Sequence, residues 1–372
     1  MTDALDRADS AIRELIAHAL RTGSASPDFL GRETKIIAVA TSEGVLPLLE
    51  HRLRGMPDWD RVPQAFQTSL IDGARNAAVQ DLFRTGEMRR ISSLLAREGL
   101  QVLLLKGNAL GQWLYPAPYL RICGDIDLLL DSRASAEQAS AACEALGYRL
   151  QFKPAASNYE MTARLVVDGV KRSELDLHCR LVNAAAYADI FGFEELWGES
   201  IDLPGLGSGL RGLSLRHALA HSCLNRALDM QIGVADRLKL LYDIHLMAQH
   251  LDAAGWDGLV DMALRKGISG ACLRSIDDTA AMFRSPVPGD VLTALRCHAD
   301  RESVDWRRLG DWRYMQWQNL KALPTIGARM RWLRDRLVPS RSQLQDLHGD
   351  GSWARLMLRR FGRAIRRVRN KR

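Results

Sequence analysis

Two aspartates separated by one residue stand in an apolar run, Gly124-Asp125-Ile126-Asp127-Leu128-Leu129-Leu130. Side chains of a β-strand alternate between its faces, so Asp125 and Asp127 are expected on one side and Ile126 and Leu128 on the other. Two like charges this close repel each other, and a divalent cation between them removes the repulsion. The pattern predicts a magnesium site, because this ion binds carboxylates together with substrate phosphates.

A further acidic element, Glu174-Leu175-Asp176-Leu177-His178, follows about fifty residues downstream. Asp176 alternates in phase with Glu174 and His178, so a neighbouring strand could supply a third metal ligand. Two such ions about 3.5–4 Å apart stabilise the attacking and leaving oxygens of an in-line phosphoryl transfer. The third carboxylate can also take a proton from the attacking hydroxyl. His178 could orient a ligand, contact a nucleotide, or simply end the strand.

The segment upstream of the aspartates, residues 103–110, has features of a phosphate site. Gly107 would let the backbone approach a phosphate closely, and the helix expected to follow offers free N–H groups. Lys106 could neutralise phosphate charge or point away from the site. Arg121, four residues before Asp125, is either a phosphate contact or a surface arginine.

The surrounding pattern predicts how these residues are held. Residues 1–98 show helical periodicity that ends at Gly99. Residues 99–202 read as strand, helix, strand, helix and then several strands, which predicts a small mixed sheet with helices against it. The helical period returns over 210–340, after a hinge expected at 203–209, and a basic amphipathic tail spans 341–372. The predicted fold class is α+β, with a mixed-sheet core flanked by N-terminal and C-terminal helical regions.

Composition and charge bear on nucleic-acid binding and on the location of the protein. The chain has 372 residues, 47% hydrophobic and 26% charged, with a formal net charge of +7. Residues 355–372 carry nine Lys or Arg and no acid, so the remainder has a net charge of −2 and gives no general argument for nucleic-acid binding. Six scattered cysteines and the absence of a signal peptide or transmembrane segment predict a cytoplasmic protein.

The motifs Leu-Lys-Gly-Asn-Ala-Leu, Leu-Tyr-Pro-x-Pro-x-x-Arg, Asp-Ile-Asp-Leu-Leu, Leu-Gly-Tyr and Leu-Asp-Leu-His, in this order, resemble a bacterial family of uncharacterised nucleotidyltransferases. The resemblance covers residues 80–270 and implies the fold of the DNA polymerase beta-like superfamily. It places Gly107 at the phosphate turn, Asp125 and Asp127 at the metal pair, and Asp176 at the third carboxylate, in preference to Glu174. Asn108 occupies the position of the usual Ser or Gly, where its amide can still donate to a triphosphate.

The resemblance implies transfer of a nucleoside monophosphate, AMP from ATP, with two Mg²⁺ ions and release of pyrophosphate. The acceptor would be a hydroxyl or phosphate of a small molecule or peptide.

Two alternative functions stay open. One is a catalytically silent fold that serves as a binding or regulatory partner. The other is a nucleic-acid-modifying transferase that uses the Trp- and Arg-rich segment 306–334 and the basic tail. The tail could also contact an anionic surface or an acidic partner.

Overall fold

The computed structural model describes residues 2–25, 29, 31–151, 158–207, 209–338, 344–345, 349 and 351–359. In these ranges the helices are α1 (Thr2–Thr22), α2 (Glu33–Ser42), α3 (Leu46–Arg54), α4 (Gln64–Arg97), α5 (Lys106–Trp113), α6 (Arg133–Cys143), α7 (Phe193–Gly198), α8 (Leu215–Asp229), α9 (Leu238–Gln249), α10 (Ala253–Lys266), α11 (Ser269–Phe283), α12 (Gly289–Ala299), α13 (Trp312–Ala322) and α14 (Ile326–Leu337), and residues 353–359 are also helical. The strands are β1 (Val102–Leu104), β2 (Ile126–Leu129), β3 (Tyr148–Leu150), β4 (Glu160–Val167), β5 (Val170–His178), β6 (Ile201–Asp202) and β7 (Leu210–Gly212).

The N-terminal region is helical, as its periodicity predicts. The 34-residue helix α4 closes it and leads directly to the first strand. Gly99 adopts a left-handed backbone with φ +72° just after α4, a conformation that glycine adopts without steric cost. The chain therefore turns from α4 into β1 at the residue where the sequence predicts the helix to end.

The described strands form one mixed sheet in the order β3-β4-β5-β2-β1-β7-β6. Strand β2 lies at its centre, antiparallel to β1 and parallel to β5. The sheet extends to Gly212, past the predicted core boundary at 202, because β7 pairs in parallel with β1. Residues 203–209, where we expected a hinge, connect β6 to β7, and Leu203 and Leu206 are buried in the core beneath the sheet.

Alternation along the central strands separates apolar from polar side chains. Ile126, Leu128, Leu175 and Leu177 are buried on the face covered by α4 and α6. Since successive side chains of a strand point to opposite faces, the aspartates between these residues are directed to the other face. That second face is turned toward the C-terminal helices, so the sheet presents its carboxylates to a space between two parts of the fold.

Helices α8, α9 and α11 pack against one another and, through residues such as Leu219 and Ile244, share a core with α1, α3 and residues of the sheet. The flanking helical regions are thereby joined to the sheet, which confirms the predicted α+β class. Among the described residues, none of the helices combines the length and the apolar character needed to cross a bilayer. Most of the predicted tail, residues 341–372, lies outside the described residues, so its amphipathic character stays a prediction.

Candidate active site

Three carboxylates meet at one edge of the sheet. Asp127 on β2 is paired in register with Asp176 on the parallel strand β5, and Asp125 immediately precedes β2. One potential ligand atom from each of the three side chains lies within 4.8 Å of the other two. Asp127 and Asp176 are 2% and 7% exposed, respectively, whereas Asp125 is half-buried. The structure thus brings Asp176 to a pair of aspartates that lies about fifty residues earlier in the sequence.

The side chains around Asp127 keep it ionised. His178 Nε2 lies 3.0 Å from Asp127 Oδ1, and the Lys106 ammonium donates to the same oxygen at 2.5 Å. Burial opposes ionisation, but His178 and Lys106 outweigh it and lower the pKa of Asp127. The hydrogen bond to Asp127 and the charge of Glu160 likewise outweigh burial and raise the pKa of His178. Asp127 is therefore held as an oriented anion.

Asp176 has the opposite electrostatic character. Burial, followed by the negative charge of Glu160, raises the pKa of Asp176 to about 7. Thr162, its register partner on β4, donates a hydrogen bond to Asp176 Oδ1 at 2.7 Å. Two carboxylates with different proton affinities stand side by side, which is an arrangement that can divide charge stabilisation and proton transfer between them.

Glu174 lies outside this cluster, although it is on the same face of β5 as Asp176. It pairs with Arg164 on β4, its register partner, and Lys171 lies 3.5 Å from the same oxygen. These basic neighbours supply the positive charge that the carboxylate requires. The structure thus brings Asp176 and not Glu174 to the aspartate pair.

Lys106 and Asn108 lie where α5 begins, beside the aspartates. The Leu105 N–H donates to the Asp127 carbonyl at 2.9 Å, and Lys106 then adopts a left-handed backbone with φ +53° that turns the chain into α5. The Asn108 side-chain amide donates to the Asp125 carbonyl at 2.5 Å. Both side chains therefore position the aspartates here, and their predicted contacts with a triphosphate stay predictions.

Gly107 makes room for Arg121 in this structure. A Cβ atom at Gly107 would lie 2.7 Å from both Arg121 Nη1 and Cys123 Sγ, closer than real contacts allow. Arg121 is 6% exposed and donates through Nε and Nη2 to both oxygens of Asp243 on α9, and Tyr115 donates to the same carboxylate. Arg121 is accordingly a buried link between the sheet and α9, and its predicted phosphate contact stays a prediction.

A cavity of about 430 Å³ opens between this edge of the sheet and helices α8 and α9. Its volume falls in the range of about 300–1,000 Å³ that is typical of small-molecule sites. Sequence reasoning missed several of its polar lining residues, namely Glu160, Asn225, Asp229, Arg237 and Lys239. The alternation of Glu160 with Thr162 along β4 could have indicated the first. Arg237 and Lys239 belong to the stretch 237–244, which the family resemblance includes, whereas nothing local to α8 marks Asn225 and Asp229.

The donor set fits a divalent cation. Three carboxylates supply hard oxygen ligands, which is the chemistry that Mg²⁺ prefers. One of the three is half-exposed on the cavity, so an ion could reach the buried pair. Asp125, Asp127 and Asp176 are therefore the residues that would hold a metal.

The Trp- and Arg-rich segment divides between core and surface. Trp332 is 5% exposed and carries Arg336 over its ring, while Trp312 and Trp317 on α13 are more than half exposed. None of these residues lines the cavity. The segment is thus not part of the acidic site, and its predicted use in nucleic-acid binding stays a prediction.

The mixed sheet, with an Asp-x-Asp pair beside a third acidic strand and a cavity against flanking helices, forms a candidate metal-binding site open to a small molecule. A model of the family described as uncharacterised nucleotidyltransferase matches residues 32–284, which include every residue of this site. The chain belongs to this family. Separate comparisons with curated proteins and with solved structures found no match.

Proposed function

We propose that the protein is a Mg²⁺-dependent nucleotidyltransferase that transfers AMP from ATP to a hydroxyl or phosphate of a small molecule or peptide. The observation that carries the proposal is the three-carboxylate cluster in a member of this family, with Asp125 and Asp127 lining a cavity of about 430 Å³. When bound by Asp125, Asp127 and Asp176, Mg²⁺ would neutralise phosphate charge and stabilise the reacting oxygens.

In the proposed reaction, an acceptor oxygen forms a bond to the α-phosphorus while the bond from that phosphorus to the bridging oxygen breaks. Pyrophosphate leaves with the electron pair of the broken bond, and the acceptor hydroxyl loses its proton. Asp176 is the residue we assign to receive this proton, because its carboxylate lies beside the aspartate pair and a positioned carboxylate can act as a general base. His178 and Asn108 hold Asp127 and the Asp125 backbone in place.

The proposed reaction takes place in the cytoplasm, within the cavity beside the aspartates. All six cysteines are free, four of them buried, which is consistent with work in the reducing cytoplasm. The cavity has polar groups on both walls and suits a charged nucleotide with a small acceptor. Incubation of the protein with each NTP, Mg²⁺ and fractionated metabolites or peptides, followed by mass spectrometry for an added nucleotide, identifies the acceptor.

The decisive variant is Asp127→Asn, which keeps the shape of the side chain and removes its charge. We expect it to abolish Mg²⁺-dependent pyrophosphate release. Asp125→Asn repeats the test at a half-exposed position, where a folding defect is less of a concern. Glu174→Gln is the matched control, because it removes a carboxylate from the same strand as Asp176 but outside the cluster.

Circular dichroism and thermal unfolding of each variant separate loss of chemistry from loss of fold. Turnover that persists in folded Asp127→Asn or Asp125→Asn protein would refute the metal assignment. Absence of any turnover in the wild-type protein, with all four NTPs and the fractionated acceptors, would favour the alternative of a silent fold that acts as a binding partner.

A further inference from the structure

Two basic side chains face the cavity from the helical wall. Arg237 is the residue immediately before α9, and Lys239 lies in its first turn. Within the described part of the chain, neither side chain has a hydrogen-bonded or ion-paired carboxylate. Arg237 is exposed, and Lys239 is half-buried.

The other cations of the cavity are already neutralised. Lys106 pairs with Asp127, Arg121 pairs with Asp243, and Arg226 pairs with both Asp236 and Asp278. Arg237 and Lys239 are the cavity cations whose charge remains available to an incoming anion. The Asp229 carboxylate on the same wall is attracted by Lys106 and Arg226 as well as by these two cations, and Asp243 also attracts Lys239.

The start of α9 is built to hold Lys239 in place. Glu43 accepts a hydrogen bond from the Leu238 N–H at 2.7 Å and is itself paired with Arg13 at 3.0 Å. Gly44 follows with φ +72°, and a Cβ atom there would lie 2.6 Å from Lys239 Cδ. The Lys239 stem therefore passes over a glycine that leaves it room. Because Glu43 occupies the first free N–H of α9, an anion would be bound by side chains and not by the helix end.

We propose that Arg237 and Lys239 bind the β- and γ-phosphates of a nucleoside triphosphate, opposite the three carboxylates. The inference rests on the proposed function and adds to it the residues that recognise the triphosphate. Both groups line the same cavity as Asp125 and Asp127, so a nucleotide whose α-phosphate lies at the aspartates has its remaining phosphates in the same space. The pyrophosphate that leaves carries added negative charge, which these two cations stabilise.

The test compares affinities in the full-length protein, measured by isothermal titration with MgATP, AMP and tripolyphosphate. The variant is Arg237→Ala with Lys239→Met, since methionine keeps the apolar stem over Gly44 and removes the charge. We expect a 10–100-fold loss of affinity for MgATP and tripolyphosphate and a change of less than about twofold for AMP. Arg265→Ala, an exposed arginine on α10 whose nearest carboxylate lies 4.0 Å away, is the control for loss of charge and should leave all three affinities unchanged.

Asp229→Asn gives a test of opposite sign. Removing this negative charge beside the two cations should tighten tripolyphosphate binding by several-fold. Weakened or unchanged binding in this variant would overturn the proposal, as would equal losses for ATP and AMP in the double variant.

The outcomes also separate this inference from the proposed function. Turnover that depends on Asp127, combined with unchanged ATP affinity in the double variant, would overturn the role of Arg237 and Lys239 alone. If the double variant instead raised only the KM of an anionic acceptor, the two residues would belong to the acceptor site and the inference would fail. Tripolyphosphate binding that depends on both cations, without any turnover, would support the phosphate site and contradict the transferase. A wild-type protein that binds neither ATP nor tripolyphosphate would overturn both.

Discussion

The ion pair between Arg121 and Asp243 gives the sharpest prediction about stability. Arg121 Nε lies 2.8 and 3.0 Å from the two Asp243 oxygens, Nη2 lies 2.6 Å from Oδ2, and the Tyr115 hydroxyl donates to Oδ1 at 2.7 Å. Both charged side chains are almost fully buried. Asp243→Asn would remove the negative charge and leave the guanidinium buried without a counter-charge.

The expected cost follows from this burial. Removing one partner of a buried pair typically costs about 3–5 kcal/mol, because the remaining charge stays desolvated. Exposed pairs contribute only about 0–1 kcal/mol, since water screens the charges. The pair between Arg180 and Asp189 is the internal control: its distance is 2.7 Å, but Asp189 is 78% exposed at the side chain. Asp189→Asn should therefore cost less than about 1 kcal/mol.

Urea unfolding monitored by circular dichroism measures both effects as changes in the free energy of unfolding, compared at equal m-values. The double variant Arg121→Met with Asp243→Leu removes both charges and should be more stable than Asp243→Asn alone. If Asp243→Asn destabilised the protein no more than Asp189→Asn, the argument from buried charge would be refuted.

Two further predictions concern sites near and far from the cavity. Gly107→Ala should destabilise the protein by about 1–3 kcal/mol in urea unfolding, because its Cβ meets Arg121, whereas Gly124→Ala, which has open space, should be neutral. Burial, with Arg21 and Arg52 nearby, lowers the pKa of His245 to about 4. As the pH drops, His245 is protonated at a higher pH in the unfolded chain than in the folded protein. The free energy of unfolding should therefore fall as the pH drops from about 6.5 toward 4. His245→Phe should reduce the difference in unfolding free energy between pH 7 and pH 5 by about 2 kcal/mol, and an unchanged difference would contradict this.

Local sequence patterns were enough to predict which strands carry the three acids and where helix α4 ends. The alternation of acidic with apolar residues in Asp125-Ile126-Asp127 and Leu175-Asp176-Leu177 predicts strands with one polar and one buried face, and the structure has both. The predicted end of α4 at Gly99 is also confirmed, since a left-handed backbone favours glycine there. Such features depend on neighbours along the chain, so they can be inferred without the fold.

Contacts between distant segments were decided only by the tertiary structure. Glu174 and Asp176 are equivalent in the local alternation, and they differ because the register of β4 sets Arg164 beside the first and Thr162 beside the second. Arg121 becomes a buried link because α9 brings in Asp243 from 122 residues away. Arg237 and Lys239 likewise line the same cavity as Asp125 and Asp127 only because the fold brings the start of α9 to that cavity.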